Sequence, residues 1–257
     1  MEINLNCDLG EKSIHYDGKY DANLLKIINS ANIACGYHAG SKSIIDKTIK
    51  KAKKNNVSIG AHPGFKDLEN FGRKKMFLSK KELKHLIWKQ LEIINEIAIY
   101  NNTIITHVKP HGALNNMACE DIEIALTIGQ TIKDFNKDLI YVVLPLNEME
   151  KAAKKLDLKY ACEIFADRNY EDNGQLVSRN KDYALIKNSK IASENIIEML
   201  NSSSIICFSG KKIKCNIDTI CIHGDGDNSV LIAKNLKNTL IKNGLKLINL
   251  NKMTKFK

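Results

Sequence analysis

The chain has 257 residues, 44% hydrophobic and 26% charged, which suffices for one sizeable core and excludes a disordered chain. Apolar residues come in runs too short to span a bilayer, and the start Met1-Glu2-Ile3-Asn4 has neither the basic flank nor the apolar stretch of a secretory leader, so a soluble, cytoplasmic protein is expected. The net charge of +10 is not accompanied by a recognised nucleic-acid-binding motif, so neither nucleic acid nor a membrane is an expected partner.

Strand-like apolar runs fall at 2–8, 31–35, 57–62, 104–109, 140–144, 161–167 and 219–223, with an eighth candidate at 245–250. Helical patterns lie at 21–29, 43–55, 79–101, 121–135, 148–156, 189–200 and 229–243. Ser79 precedes Glu82 by three residues, the spacing of a capping box, and Gly244 stands where a left-handed residue would end the last helix. Strict β-then-α alternation predicts an α/β fold with a parallel sheet. Seven or eight such units in this length favour a (β/α) barrel of seven or eight parallel strands, as a single domain over residues 1–257. The polar stretch 168–188 reads as a long loop over one rim, and 205–215 as a hairpin before the seventh strand.

Lysine is the default base here; Arg73, Arg168 and Arg179 are the only arginines. A planar two-pronged cation does what an ammonium cannot, so each carries separate weight. The cysteines number seven with no C-x-x-C, which predicts small buried thiols in a reducing compartment, with a nucleophilic Cys7 or Cys35 as the lesser alternative.

The strand exits carry the chemistry. They read Asn6-Cys7-Asp8-Leu9-Gly10-Glu11, then Cys35-Gly36-Tyr37-His38, then His62-Pro63-Gly64 followed by Phe71-Gly72-Arg73. Further on come Lys109-Pro110-His111-Gly112, Glu163-Ile164-Phe165-Ala166-Asp167-Arg168, and His223-Gly224-Asp225. In a barrel all strand C-termini open on one face, so these residues would converge in one cup. Lys109, ending an apolar strand directly before Pro-His-Gly, is read as functional. Other readings stay open: Asp8 as a turn cap, Asp167–Arg168 as a structural pair, Arg73 and Arg179 as loop anchors. His107 could point into the barrel core and is left out of the site; His15 and His85 are expected to face solvent.

The segments NCDLGE, ANIACGYHAG, GAHPGF with FGR, VKPHGALNN, EIFADRNY with GQLVSR, and IHGD resemble the LamB/YcsF family, from Asn4 to about Asp225. Three loops depart from its pattern: Ser41-Lys42 stand for Asp-Pro, Asn115 for Tyr, and Gly226-Asp227 for Thr-Pro. The resemblance implies a barrel related to the glycoside hydrolase/deacetylase group. It also implies ATP-dependent opening of 5-oxo-L-proline to L-glutamate, giving ADP and phosphate, by an A component that works with B and C subunits. Carried over by position, the implied catalytic residues are Asp8, Glu11, His38, His62, Lys109, His111, Glu163 and Asp167. Asn6, Arg73, Arg168, Arg179, His223 and Asp225 are the expected substrate or phosphate ligands.

A five-membered lactam is a poor electrophile, and coupling to ATP addresses both its reactivity and the uphill equilibrium. Such a reaction needs a base for water, a proton for the departing nitrogen, and cations for a carboxylate or phosphoryl group. The chain has no Walker loop and no kinase signature, so any ATP site is non-standard or shared with partner subunits. A divalent metal is a further possibility, with Asp8, His38 and His62 as its ligand set. The competing readings are a metal-dependent sugar N-deacetylase and a non-catalytic lactam-binding subunit.

Overall fold

The computed structural model of the chain describes residues 1–224 and 226–257. Among them, seven parallel strands close into a barrel in the order β1 (Glu2–Leu9), β2 (Ser30–Ala34), β3 (Ser58–His62), β4 (Ile105–Val108), β5 (Ile140–Val143), β6 (Tyr160–Phe165) and β9 (Thr219–His223). Closure is made by β9 against β1, in a register that sets Asp8 beside His223. The crossovers carry α1 (Asp21–Leu24), α2 (Lys42–Lys54), α3 (Lys80–Tyr100), α4 (Gly112–Glu120), α5 (Ile122–Phe135), α6 (Glu148–Lys155) and α7 (Ser189–Ser202), and α8 (Ser229–Lys242) follows β9.

The expected capping box forms: the Ser79 side chain accepts from the Glu82 amide while Glu82 reaches back to the Ser79 amide. The expected hairpin is present as β7 (Ser204–Ile206) and β8 (Lys212–Lys214), and the 168–188 segment has only isolated bridges. Three expectations need correction. The first helix stops at Leu24 and continues as turns. Helix α4 was missed, because Asp121 both ends it and caps α5, leaving no turn signal between them. The eighth strand shrinks to β10 (Lys246–Leu247), which pairs with the first residues of β1 outside the closed barrel.

The sequence of β1 explains the interior. Ile3, Leu5, Cys7 and Leu9 are buried in the main hydrophobic core with the surrounding helices, while the alternate residues Asn4, Asn6 and Asp8 are buried and hydrogen-bonded to neighbouring strands. Asn4 donates to Ser30 Oγ (3.0 Å), and Asn6 donates to Thr219 Oγ1 (2.7 Å) and Glu163 Oε1 (2.9 Å). Asn32 donates to Asn6 Oδ1 and Asp8 Oδ1, both at 2.7 Å. A buried polar column thus runs up the barrel with each member partnered, as a low-dielectric interior requires. At its lower end the Ile248 carbonyl accepts from Asn4 (2.8 Å), and Leu250 and Met253 pack on Ile140, Val142 and Ala161, so the C-terminal turns plug that end.

His107 is fully buried in this column, its Nε2 3.0 Å from Asn32 Oδ1. It fits because β3 has glycine opposite: a Cβ at Gly60 would lie 2.2 Å from His107 Nε2. Gly60→Ala is therefore expected to destabilise the chain by about 1–3 kcal/mol, the usual cost of overpacking a filled core, read as a lowered denaturant midpoint. Unchanged stability would mean that the imidazole can leave the column freely.

A polar cup at the C-terminal end of the barrel

The open end of the barrel holds a cavity of about 550 Å³, within the range of small-ligand sites. Its floor is Lys109, just past β4, whose backbone amide is fixed by the Ala61 carbonyl of β3 (2.9 Å). The ammonium lies 2.9 Å from Asp8 Oδ1 and 3.1 Å from Glu163 Oε2, with Cys221 Sγ at 3.0 Å and the Phe165 ring beneath it at 5.1 Å. Burial opposes the charge on Lys109, and the Asp8 and Glu163 carboxylates overcome it, holding its pKa above the ordinary lysine value. The two carboxylates diverge. Burial pushes Glu163 up against the pull of Lys109, whereas at Asp8 the opposing burial is outweighed by His62 and Lys109, which hold it well below the usual range. Asp8 is the closer counter-ion of Lys109. Glu163, fully buried and bonded to Asn6, sits a layer deeper.

Beside this floor stand three imidazoles and a carboxylate. Glu11 Oε1 is 3.2 Å from His111 Nδ1, 3.3 Å from His38 Nε2 and 3.7 Å from His62 Nε2. His111 Nδ1 and His62 Nε2 are 3.0 Å apart, and Asp8 Oδ2 is 3.4 Å from His62 Nε2. The outer nitrogens are already committed: His62 Nδ1 to the Lys109 carbonyl (2.6 Å) and His111 Nε2 to the Phe71 carbonyl (2.8 Å). His38 stacks on His111 at 3.8 Å, and burial pushes its pKa down to about 3. Glycine makes the space. A Cβ at Gly64 would lie 2.8 Å from His38 Nδ1, and one at Gly72, where φ is +64°, 2.8 Å from His38 Cβ.

On the other wall, His223 ends β9 and stacks on Phe165 (5.2 Å). Its Nδ1 lies 3.0 and 2.9 Å from the two Asp167 carboxylate oxygens, so that Nδ1 carries the proton and Nε2 is left as the other functional nitrogen. At Asp167, burial favours the neutral acid, and His223, Arg179 and Arg168 outweigh it, keeping the group ionised below the usual range. Arg73, Arg168 and Arg179, the chain's only arginines, all line this cavity. Burial, then the Arg179 and Arg73 charges, pushes Arg168 down to about 10, and its Nε–H finds no acceptor among the described residues. Like charges gathered at a cavity mouth mark a place for an anion.

The barrel brings together Asp8, Glu11, His62, Lys109, His111, Arg73, Arg168, Arg179 and His223 on the cavity wall. His38, Glu163, Asp167 and Asn6 stand behind them as partners; Asp225 lies outside the described residues. The carboxylate among the imidazoles is Glu11, while one Asp8 oxygen is engaged by Lys109. Sequence reasoning missed Asn32, which orients Asp8, and Phe71, whose carbonyl orients His111, although both fall in the motifs at the strand exits. The cysteines are free, six of them buried, and burial raises the Cys7 and Cys35 thiols, against a nucleophilic role. His15 and His85 are exposed. No helix among the described residues is long and apolar enough to cross a membrane.

The LamB/YcsF family profile matches residues 3–255. The chain is 44% identical over 250 residues to the A subunit of 5-oxoprolinase from Staphylococcus epidermidis, covering 97% of this chain and 99% of that one. It is 43% identical to the protein of the same name in Staphylococcus haemolyticus, covering 97% and 100%. The crystal structure of the lactam utilization protein of Thermus thermophilus superposes with a TM-score of 0.90 at 33% identity, covering 96% and 99%. The peptidoglycan deacetylase PdaC of Bacillus subtilis, at 14% identity, a TM-score of 0.51 and coverage of 99% and 90%, shares the fold alone.

Proposed function

The chain belongs to the LamB/YcsF family, and from that membership we propose that it is the lactam-opening A component of an ATP-dependent 5-oxoprolinase. The observation that carries the reading is the cup itself: a lysine clamped by two carboxylates at the floor, a His–Asp pair on one wall, and every arginine of the chain lining the cavity. The reaction is 5-oxo-L-proline with ATP and two waters going to L-glutamate, ADP and phosphate. Phosphorylation of the lactam oxygen makes the ring carbon electrophilic. Water adds there, the C–N bond breaks with a proton delivered to nitrogen, and a second water releases phosphate from the acyl phosphate.

This chain's residues divide those tasks. The guanidinium groups of Arg73, Arg168 and Arg179 hold the substrate carboxylate and the phosphoryl oxygens. Lys109, fixed in a site with little water, faces the oxygen on which charge develops. His223, oriented by Asp167, takes a proton from water and returns one to nitrogen. Asp8 and Glu163 keep Lys109 charged and in place. ATP is bound jointly with the B and C partner subunits, since the chain carries no phosphate-binding loop of its own. A sugar N-deacetylase is disfavoured because a neutral acetamido sugar has no use for three converging arginines.

The test is reconstitution with the candidate partner subunits. Glutamate formation from 5-oxo-L-proline is expected to need ATP and all components. Turnover without ATP, or full turnover by the partners without this chain, would overturn the proposal.

A further inference from the structure

We propose that Glu11, His62 and His111, with His38 as a fourth donor, form a binding site for one divalent first-row transition-metal ion, zinc or a similar cation, at the cavity wall. His62 Nδ1 is spent on the Lys109 carbonyl and His111 Nε2 on the Phe71 carbonyl, and a carbonyl can only accept. Both imidazoles must therefore carry their protons on those outer nitrogens. In the neutral rings, the forms that bind a metal, the inner nitrogens His62 Nε2 and His111 Nδ1 point lone pairs at one another across 3.0 Å, with Glu11 Oε1 3.7 and 3.2 Å away, respectively. Three electron-rich atoms in contact repel unless something positive sits among them.

Either a shared proton or a metal ion meets that need; a proton bridges two atoms, whereas four donor atoms gather here within 4.8 Å of one another, which favours the metal. Metal–ligand bonds of about 2.0–2.1 Å place neighbouring ligand atoms roughly 2.9–3.4 Å apart in octahedral or tetrahedral sites. The separations here are 3.0 Å for His62–His111, 3.2 Å for His111–Glu11 and 3.3 Å for His38–Glu11, while His62–Glu11, at 3.7 Å, closes by a few tenths of an ångström on binding. Backbone carbonyls that fix the outer imidazole N–H are the usual support of a histidine metal ligand. A second sign is His38 itself: fully buried, with Nε2 turned to Glu11 Oε1 at 3.3 Å. Imidazoles with a carboxylate suit zinc and its neighbours better than magnesium or calcium. Glu11, His62 and His111 all line the cavity, so a bound ion would keep coordination positions open to a ligand there. Such an ion supplies polarisation of an oxygen. The site is placed in the same cup as the lactam reading, but its existence rests on the imidazole geometry alone.

The test uses the purified chain, stripped with chelator and titrated with Zn²⁺ or Co²⁺ alone. Uptake of one equivalent is expected, with visible d–d absorption for Co²⁺ and a higher melting temperature. Glu11→Gln and His111→Gln are expected to weaken uptake more than about tenfold, while Asp167→Asn, across the cavity, leaves it unchanged. Circular dichroism shows whether each variant is folded, and the near-isosteric Glu11→Gln serves if His111→Gln is not. Uptake far below one equivalent, or uptake indifferent to both substitutions, overturns the proposal. Because no lactam or ATP is present, the two readings fail separately. No metal uptake together with full glutamate formation removes the metal site and leaves the lactam reading, whereas stoichiometric metal without any glutamate formation does the reverse.

Discussion

Lys109→Met should abolish glutamate formation by the assembled enzyme, by at least about a thousandfold in kcat, and should also destabilise this chain. Removing a single donor aimed at developing charge in a water-poor site costs roughly 10²–10³ in rate. Here the loss is compounded, because Asp8 is then left next to Glu163 without the cation that separates their charges. Breaking a buried ion pair from one side costs about 3–5 kcal/mol, much of it from the stranded partner. Asp8 retains His62 at 3.4 Å, and Glu163, already pushed up by burial, escapes by taking a proton. Folding is therefore expected to survive at lower stability, and turnover is not. The double variant Lys109→Met/Glu163→Gln should regain stability without regaining activity. Turnover within about tenfold of the parent would remove Lys109 from the chemistry.

Asp167→Asn should have the next largest effect, a fall of about 10²–10⁴ in kcat with KM within a few-fold and stability nearly unchanged. The carboxylate accepts from His223 Nδ1 with both oxygens and thereby fixes the tautomer that leaves Nε2 as the working nitrogen. An amide can offer its N–H instead, which reverses the tautomer. The His223 and Asp167 side chains are only 17% and 14% exposed, but asparagine keeps the shape of the aspartate and can still accept from Nδ1, so the fold is expected to survive the substitution. His223→Gln should cost about as much, and the double variant no more than either alone, as groups acting as a unit do. Additive losses, or a change in KM only, would make the pair a binding element.

Much of this cup is legible in the sequence, for one reason. A parallel barrel sends every strand C-terminus to one face, so the residue types at the exits identify the cup before any coordinates exist. The alternation Asn4-Leu5-Asn6-Cys7-Asp8 likewise announces a strand with a polar inner side and an apolar outer one. What the sequence withholds is pairing across the barrel. That Lys109 chooses Asp8 and Glu163 follows from register, from the Lys109 amide bound to β3 and from β9 set against both β6 and β1. No local pattern encodes that. The same is true of Glu11: read along the chain it is a residue just past the strand, and only the fold carries it to His38, His62 and His111. Helix α4 escaped because its apolar face is interrupted by Asn115 and Asn116 and it abuts α5 without a turn. The C-terminal strand failed for the opposite reason. The apolar residues of 245–250 were needed, but as a plug that places Leu250 beneath the barrel.

The central claim is that the lactam is opened in the cup at the C-terminal end of this barrel. The most direct measurement is a crystal structure of the assembled complex soaked with 5-oxo-L-proline in the absence of ATP. The lactam is expected inside the cavity, its ring oxygen within hydrogen-bonding distance of Lys109 and its carboxylate against the arginines. A lactam bound only on a partner protein, or on this chain outside the cavity, would contradict it.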